Sequence, residues 1–267
     1  MSADPAPRRW CLVLGASGGL GGGCARALGQ NGYGLLGVHL DTSERLSAAE
    51  ALAEEIRGLG VGAHLFNINA SNEAAMRQAV DEIAEFTGAD GGVRVLVHAL
   101  AFGALGPLIR EQPGDGVIGP KQMQMTMNIM AHSLVYWTQA LHEARLLARG
   151  AQIFALTSIG SSHVLAGYGA VSAAKAALES HVRQLACELA PFDVAVNAIR
   201  AGITDTPALR QIPGAEGLME RARQYNPYRR LTTPEEVGEA VALLAGASSP
   251  WMTGNVIGVD GGEKLTL

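Results

Sequence analysis

The amino-acid sequence predicts an α/β fold over residues 1–267: a single domain with a doubly wound parallel sheet of about seven strands and helices on both faces. Short apolar runs alternate with longer segments of helical period, the pattern of a parallel sheet covered on both sides. The chain has 267 residues, 48% of them hydrophobic, which suits one large α/β domain or two small ones. No repeat, low-complexity tract or interdomain linker divides it.

The first strand is WCLVLGA (10–16), followed by a glycine loop and the helix-like CARALGQNG. YGLLGVHL (33–40) and AHLFNI (63–68) flank ERLSAAEALAEEIRGLG, and NEAAMRQAVDEIAEFTG precedes VRVLVHAL (93–100). Both helical segments end at a glycine suited to a helix C-terminus. Residues 102–120 are rich in Gly and Pro and are expected to form loops at the sheet edge. AQIFALTS (151–158) and VAVNAIRA (194–201) give the next strands, and NVIGVDGG (255–262) the last. Residues 204–230 mix turn signals with a short helix and are a candidate lid. TTPEEVGEAVALLAG opens with Thr233, Pro234 and Glu236, a capping box with proline in the first turn.

Net charge is −5 with scattered Lys and Arg, so no nucleic-acid partner and no membrane association is expected. Cys11, Cys24 and Cys187 lack metal spacing and are expected to be reduced, buried thiols, with no metal site. The N-terminal apolar run is too short for a signal-peptide core or a span, which points to a soluble cytoplasmic protein.

The loop LVLGASGGLGGG lies between a strand and a helix, with Gly15, Gly19 and Gly21 spaced Gly-x-x-x-Gly-x-Gly. Such a loop turns tightly and brings backbone close to a pyrophosphate at a helix N-terminus, with Ser17 and Leu20 in the same turn. The second strand ends His39-Leu40-Asp41. Asp41 is placed either to accept from ribose hydroxyls and repel a 2′-phosphate, which favours NADH over NADPH, or to cap the helix after DTSER. In YGAVSAAK, Tyr168, Val171 and Lys175 fall on one stripe if the stretch is helical.

GASGGLG, Asn128 in TMNIMA, Ser158 in ALTSIG, Lys175 in SAAKAALE, VNAIRAGITDT and TGNVIGVDGG occur in an order that resembles the short-chain dehydrogenase/reductase family along essentially the whole chain. The resemblance implies a single Rossmann domain, a homotetramer, and a catalytic group of Ser, Tyr, Lys and Asn, of which Ser158, Lys175 and Asn128 match while the tyrosine does not map. Asn128 matches the residue whose backbone bends a helix and helps hold a water near the lysine. Cofactor contacts are implied at His98, Ala99, Gly202, Ile203 and Thr206, with Asn69 and Ala70 beside the adenine. The family's usual Tyr-x-x-x-Lys would put the phenol at 171, where this chain has Val171. Either the site is inactive or Tyr168 replaces it from one turn earlier. Tyr-x6-Lys, with VHALAFG and the stretch ITDTPALRQIPGAEGLMERARQYNP, resembles the enoyl-thioester reductase branch. That branch implies an acyl thioester substrate carried on acyl carrier protein or CoA. A carbonyl reductase using the displaced Tyr168 and an inactive dinucleotide-binding protein are the alternatives. His163 is expected in a solvent-facing turn, and Met123, Met125, Met127 and Met130 in core or interface packing.

Overall fold

A computed structural model describes residues 9–87, 92–109, 112 and 116–266. Seven strands form one sheet in the order β3-β2-β1-β4-β5-β6-β7, every pairing parallel. They are β1 (Arg9–Leu14), β2 (Tyr33–His39), β3 (Ala63–Asn67), β4 (Val93–His98), β5 (Leu147–Thr157), β6 (Ala195–Ala201) and β7 (Val256–Val259). β1 and β2 are buried on both faces almost throughout, which is why their sequences are continuously apolar rather than alternating.

Helices cover both faces. α1 (Gly19–Gln30), α2 (Ser43–Gly58) and α8 (Pro234–Ala245) pack on one side, contributing Leu28, Ile56 and Val241 to its core. α3 (Glu73–Thr87), α5 (Ser133–Glu143) and α6 (Gly169–Leu189) cover the other through Ile83, Trp137 and Val182. Chain direction across the sheet reverses between β1 and β4, and the crevice at their carboxyl ends is where such folds bind ligands.

The capping box forms as the sequence predicts. Thr233 Oγ1 accepts from the Glu236 N–H, and Glu236 Oε2 accepts from the Thr233 N–H at 2.9 Å. Such a cap stabilises a helix by ~1 kcal/mol. α8 and α1 meet backbone to backbone. A Cβ built on Gly23 would lie 2.2 Å from the Pro234 oxygen, and one on Gly238 2.3 Å from the Gly23 oxygen.

Three local expectations change. β5 starts at Leu147 rather than 151, because Leu147 pairs with Val93 of β4 ahead of a register shift, with Gly150 at φ 75°. Backbone bonding extends the strand there without an apolar signal. The loop after β4 leaves the carboxyl end of a central strand instead of the sheet's lateral edge. Cys11 and Cys24 are buried, but Cys187 is exposed on the outer side of α6. The 204–230 segment holds a helix, α7 (Ala215–Tyr225), as its pattern suggests. No helix among the described residues is long and apolar enough to cross a membrane.

Candidate active site

The glycine loop joins β1 to α1 at the crevice. Gly15 (φ 89°) and Gly21 touch backbone: a Cβ on Gly21 would lie 2.0 Å from the Gly15 oxygen, and one on Gly15 2.8 Å from the Ala99 oxygen. Gly18, by contrast, faces open space. It is the N-cap of α1 and leaves that end without any side-chain cap or acidic residue. Uncapped N–H groups beneath an open glycine fit a pyrophosphate, since α1's dipole favours negative charge there. Ser17 is half-buried in the same turn, and Leu20 packs against the core of that face. Thr206 reaches across from the β6 side, its methyl 3.4 Å from a Cβ built on Gly19.

At the end of β2, His39 Nδ1 lies 3.0 Å from Asp41 Oδ2, and both side chains are nearly buried. The Asp41 backbone exchanges two 3.1 Å hydrogen bonds with the Asn67 carboxamide. Thr42 is the N-cap of α2, without a side-chain bond, so the capping alternative for Asp41 does not hold. Two other expected contacts also make internal bonds. Asn69 Oδ1 accepts from the N–H and hydroxyl of Ser71, and the Ala70 carbonyl accepts from Trp137 Nε1 at 2.8 Å.

The Tyr168-Val171-Lys175 stripe begins one step outside the helix. Tyr168 is the N-cap of α6, after Gly167 at φ 67°, and Val171 and Lys175 lie within the helix. Tyr168 is only 9% exposed. Its ring packs on Gly160, where a Cβ would come within 2.6 Å of it, and its hydroxyl lies 3.4 Å from Ser158 Oγ. Burial pushes the phenol's pKa above its ordinary value, partly opposed by Ser158. Lys175 is buried, and its Nζ donates to Leu156 O at 2.7 Å and Leu100 O at 3.4 Å. Loss of hydration lowers its pKa to about 8, with Glu179 one turn on opposing the shift.

Val171 does not line an open site. A Cβ built on Gly103 would be 2.8 Å from Val171 Cγ2, 2.8 Å from Thr126 Cγ2 and 2.7 Å from Met130 Sδ. The loop after β4 therefore lies on Val171, and Leu108 covers Gly169 in the same way. The Gly106 N–H donates to Gly167 O at 2.8 Å, tying that loop to the residue before Tyr168. Met130 is core, while Met123, Met125 and Met127 are half-buried.

α4 (Pro120–Met127) passes into α5 through a π-helical turn, Asn128–His132. The irregularity expected at Asn128 is thus present, and such turns interrupt the helical hydrogen-bond ladder. His98 sits differently from expectation. Its imidazole is fully buried beneath the sheet end, 2.8 Å from Ser133 Oγ, and cannot reach the cofactor edge. Burial, then the Lys175 charge, lowers its pKa to about 3. Ala99 meets the glycine loop with both its carbonyl and its Cβ, and its N–H donates to Leu14 O. His163 is exposed in a turn with Ser162, as expected.

Beyond β6, Gly202 presses on Thr232 Oγ1, and Thr206 Oγ1 accepts from the Leu209 N–H. The Ile203 N–H is spent on the Glu263 carboxylate at 3.2 Å, and Ile203 O accepts from the Thr232 N–H. Glu263 is buried, and desolvation raises its pKa. It is a buried neighbour of this loop that sequence reading missed, because its target lies 60 residues away.

A family model described as enoyl-(acyl carrier protein) reductase matches residues 15–264. The enoyl-acyl-carrier-protein reductase (NADH) of Bacillus subtilis is 30% identical over 197 residues, 73% of each chain. The 1-cyclohexenylcarbonyl-CoA reductase of Streptomyces collinus is 28% identical over 262 residues, 97% of this chain and 88% of that one. Among solved structures, a 3-oxoacyl-acyl-carrier-protein reductase from Brucella melitensis in complex with NAD superposes with a TM-score of 0.82. It is 27% identical and covers 97% of this chain and 98% of its own.

Proposed function

The chain belongs to the enoyl-(acyl carrier protein) reductase family within the short-chain dehydrogenases/reductases, and we propose that it reduces the C=C bond of an enoyl thioester carried on acyl carrier protein or CoA. It is an NAD(P)H-dependent oxidoreductase of that type. The observation that carries the reading is the pairing of Val171, closed over by Gly103, with a phenol beside Ser158 one helical turn earlier.

NAD(P)H, when bound, supplies a hydride. In carbonyl reduction the hydride lands on the carbon bearing the oxygen. In conjugate reduction it lands on Cβ, and the oxygen that gains charge lies about two bond lengths farther off, ~2.5 Å. A tyrosine placed three residues earlier moves by ~4.5 Å along a helix axis, enough to follow that oxygen. Tyr168 hydrogen-bonds the thioester oxygen as it becomes an enolate. Burial suits that role, because a phenol with a raised pKa keeps its proton and stays a donor. Ser158 orients the hydroxyl. Lys175 grips the nicotinamide ribose hydroxyls, and its charge stabilises the developing enolate. Asn128 holds the turn beside that lysine. Cα then takes a proton, completing addition of two hydrogens across the double bond.

Gly15, Ser17, Gly19, Leu20 and Gly21 seat the pyrophosphate, with Thr206 and Gly202 closing from the β6 side. Asp41, steadied by His39, accepts from the adenosine ribose and disfavours a 2′-phosphate, so NADH is the preferred cofactor. Residues 204–230, carrying α7, act as the lid over the acyl group.

The likeness to the Brucella melitensis enzyme favours a second reading, reduction of a 3-oxoacyl thioester. One assay separates them: NADH and NADPH oxidation with crotonyl-CoA against acetoacetyl-CoA. Turnover of crotonyl-CoA supports the proposal. Turnover of acetoacetyl-CoA alone overturns it.

A further inference from the structure

His98 is fully buried, and only one of its two ring nitrogens has a hydrogen-bond partner. Nε2 lies 2.8 Å from Ser133 Oγ. With the Ser133 hydroxyl proton assigned to Ile129 O at 2.7 Å, His98 is the donor in the contact between them. The ring is therefore the Nε2–H tautomer, and Nδ1 carries a lone pair with no partner among the described residues. Buried polar atoms are almost always satisfied, by protein or by ordered water.

The surroundings say what this lone pair serves. His98 ends β4, two residues before Leu100, whose carbonyl accepts from Lys175. Ser133 follows directly on the π turn that begins at Asn128. Burial holds the imidazole neutral, and the Lys175 charge acts in the same direction. We propose that His98 is a positioning residue for Lys175: its Nε2–H pins the π turn through Ser133, and its Nδ1 accepts a hydrogen bond from the ammonium through one buried water. The proposal rests on the role given to Lys175 above.

The groups facing Lys175 are few. Glu179 comes from α6 and also accepts from Thr157 Oγ1 on β5. β4 supplies His98, and the Leu100 and Leu156 carbonyls complete the set. His132 in the π turn pairs instead with His181 on α6, at 3.0 Å.

Two substitutions separate the nitrogens. In His98→Gln the amide can keep the donor near the Nε2 position but offers no acceptor near Nδ1. His98→Asn does the reverse. Turnover of crotonyl-CoA and NADH affinity, the latter by fluorescence titration, are followed against pH for the intact protein. In the wild type both should fall as pH rises through about 8, where Lys175 loses its proton. His98→Gln should keep the thermal midpoint and move that fall to lower pH by roughly half a unit or more, about a twofold loss at pH 8. His98→Asn and Ser133→Ala should lower the thermal midpoint and leave the pH profile in place. A His98→Gln profile that overlays the wild type, with the wild-type fall present, overturns the proposal while sparing Lys175. Absence of any wild-type fall in NADH affinity, together with unchanged affinity in Lys175→Met, overturns both.

Discussion

Tyr168→Phe removes one oxygen from a ring that otherwise stays packed on Gly160. The hydroxyl's protein partner, Ser158 Oγ, is 3.4 Å away, a long contact for an O–H···O bond. A typical net hydrogen bond contributes ~0.5–1.5 kcal/mol, and this one belongs at or below the lower end. For a chain of 267 residues, 1 kcal/mol moves the thermal midpoint by ~2–4 °C. The midpoint should therefore change by no more than about 2 °C. The rate should respond very differently. Loss of a donor to a developing oxyanion costs ~10²–10³ in kcat, or about 2.7–4 kcal/mol. Steady-state oxidation of NADH with crotonyl-CoA measures kcat, and fluorescence titration measures NADH affinity, which should be unchanged. A kcat within threefold of the wild type would show that the phenol is idle and refute the reasoning.

Three further outcomes follow from the geometry. Val171→Tyr on the Tyr168→Phe background should not create an ordinary carbonyl reductase, because Gly103, Met130 and Thr126 occupy the space. Activity on acetoacetyl-CoA should stay at background, and the overpacking should cost ~1–3 kcal/mol in chemical denaturation. Gly21→Ala should abolish NADH binding, since its Cβ would lie 2.0 Å from the Gly15 oxygen, whereas Gly18→Ala meets nothing within 4 Å and should leave stability within about 0.5 kcal/mol. Asp41→Ala should raise the NADPH-to-NADH ratio of kcat/KM by about tenfold, the equivalent of ~1.4 kcal/mol; an unchanged ratio would remove Asp41 as the ribose reader.

The sheet was legible because each strand carries a short, largely apolar run, a signal that survives without tertiary information. The cap at Thr233 and Glu236 was equally plain, since its chemistry is complete within four residues. The glycine loop was readable for the same reason: spacing, strand and helix are neighbours in the chain. What escaped depends on distant partners. Nothing local announces that Glu263 will take the Ile203 N–H. His98 looked like an edge group because it ends a strand. Its burial is decided by Ser133 and the π turn, 35 residues later. Val171 was visible as a missing phenol, but the reason no phenol fits there lies in the loop carrying Gly103. Tyr168 fell just beyond the helix that the stripe of residues suggested, since Gly167 turns the chain immediately before it.

The seam between α1 and α8 has no upholstery. At Gly23 and Gly238 peptide planes rest on each other, with no side chain able to swing aside and absorb a push. A tilt of α8 would press directly on the backbone of α1, whose leading end carries the glycine loop. Cargo or mutations that rock the outer helix would be felt as altered grip on the nucleotide, although the two events lie at opposite ends of the sequence.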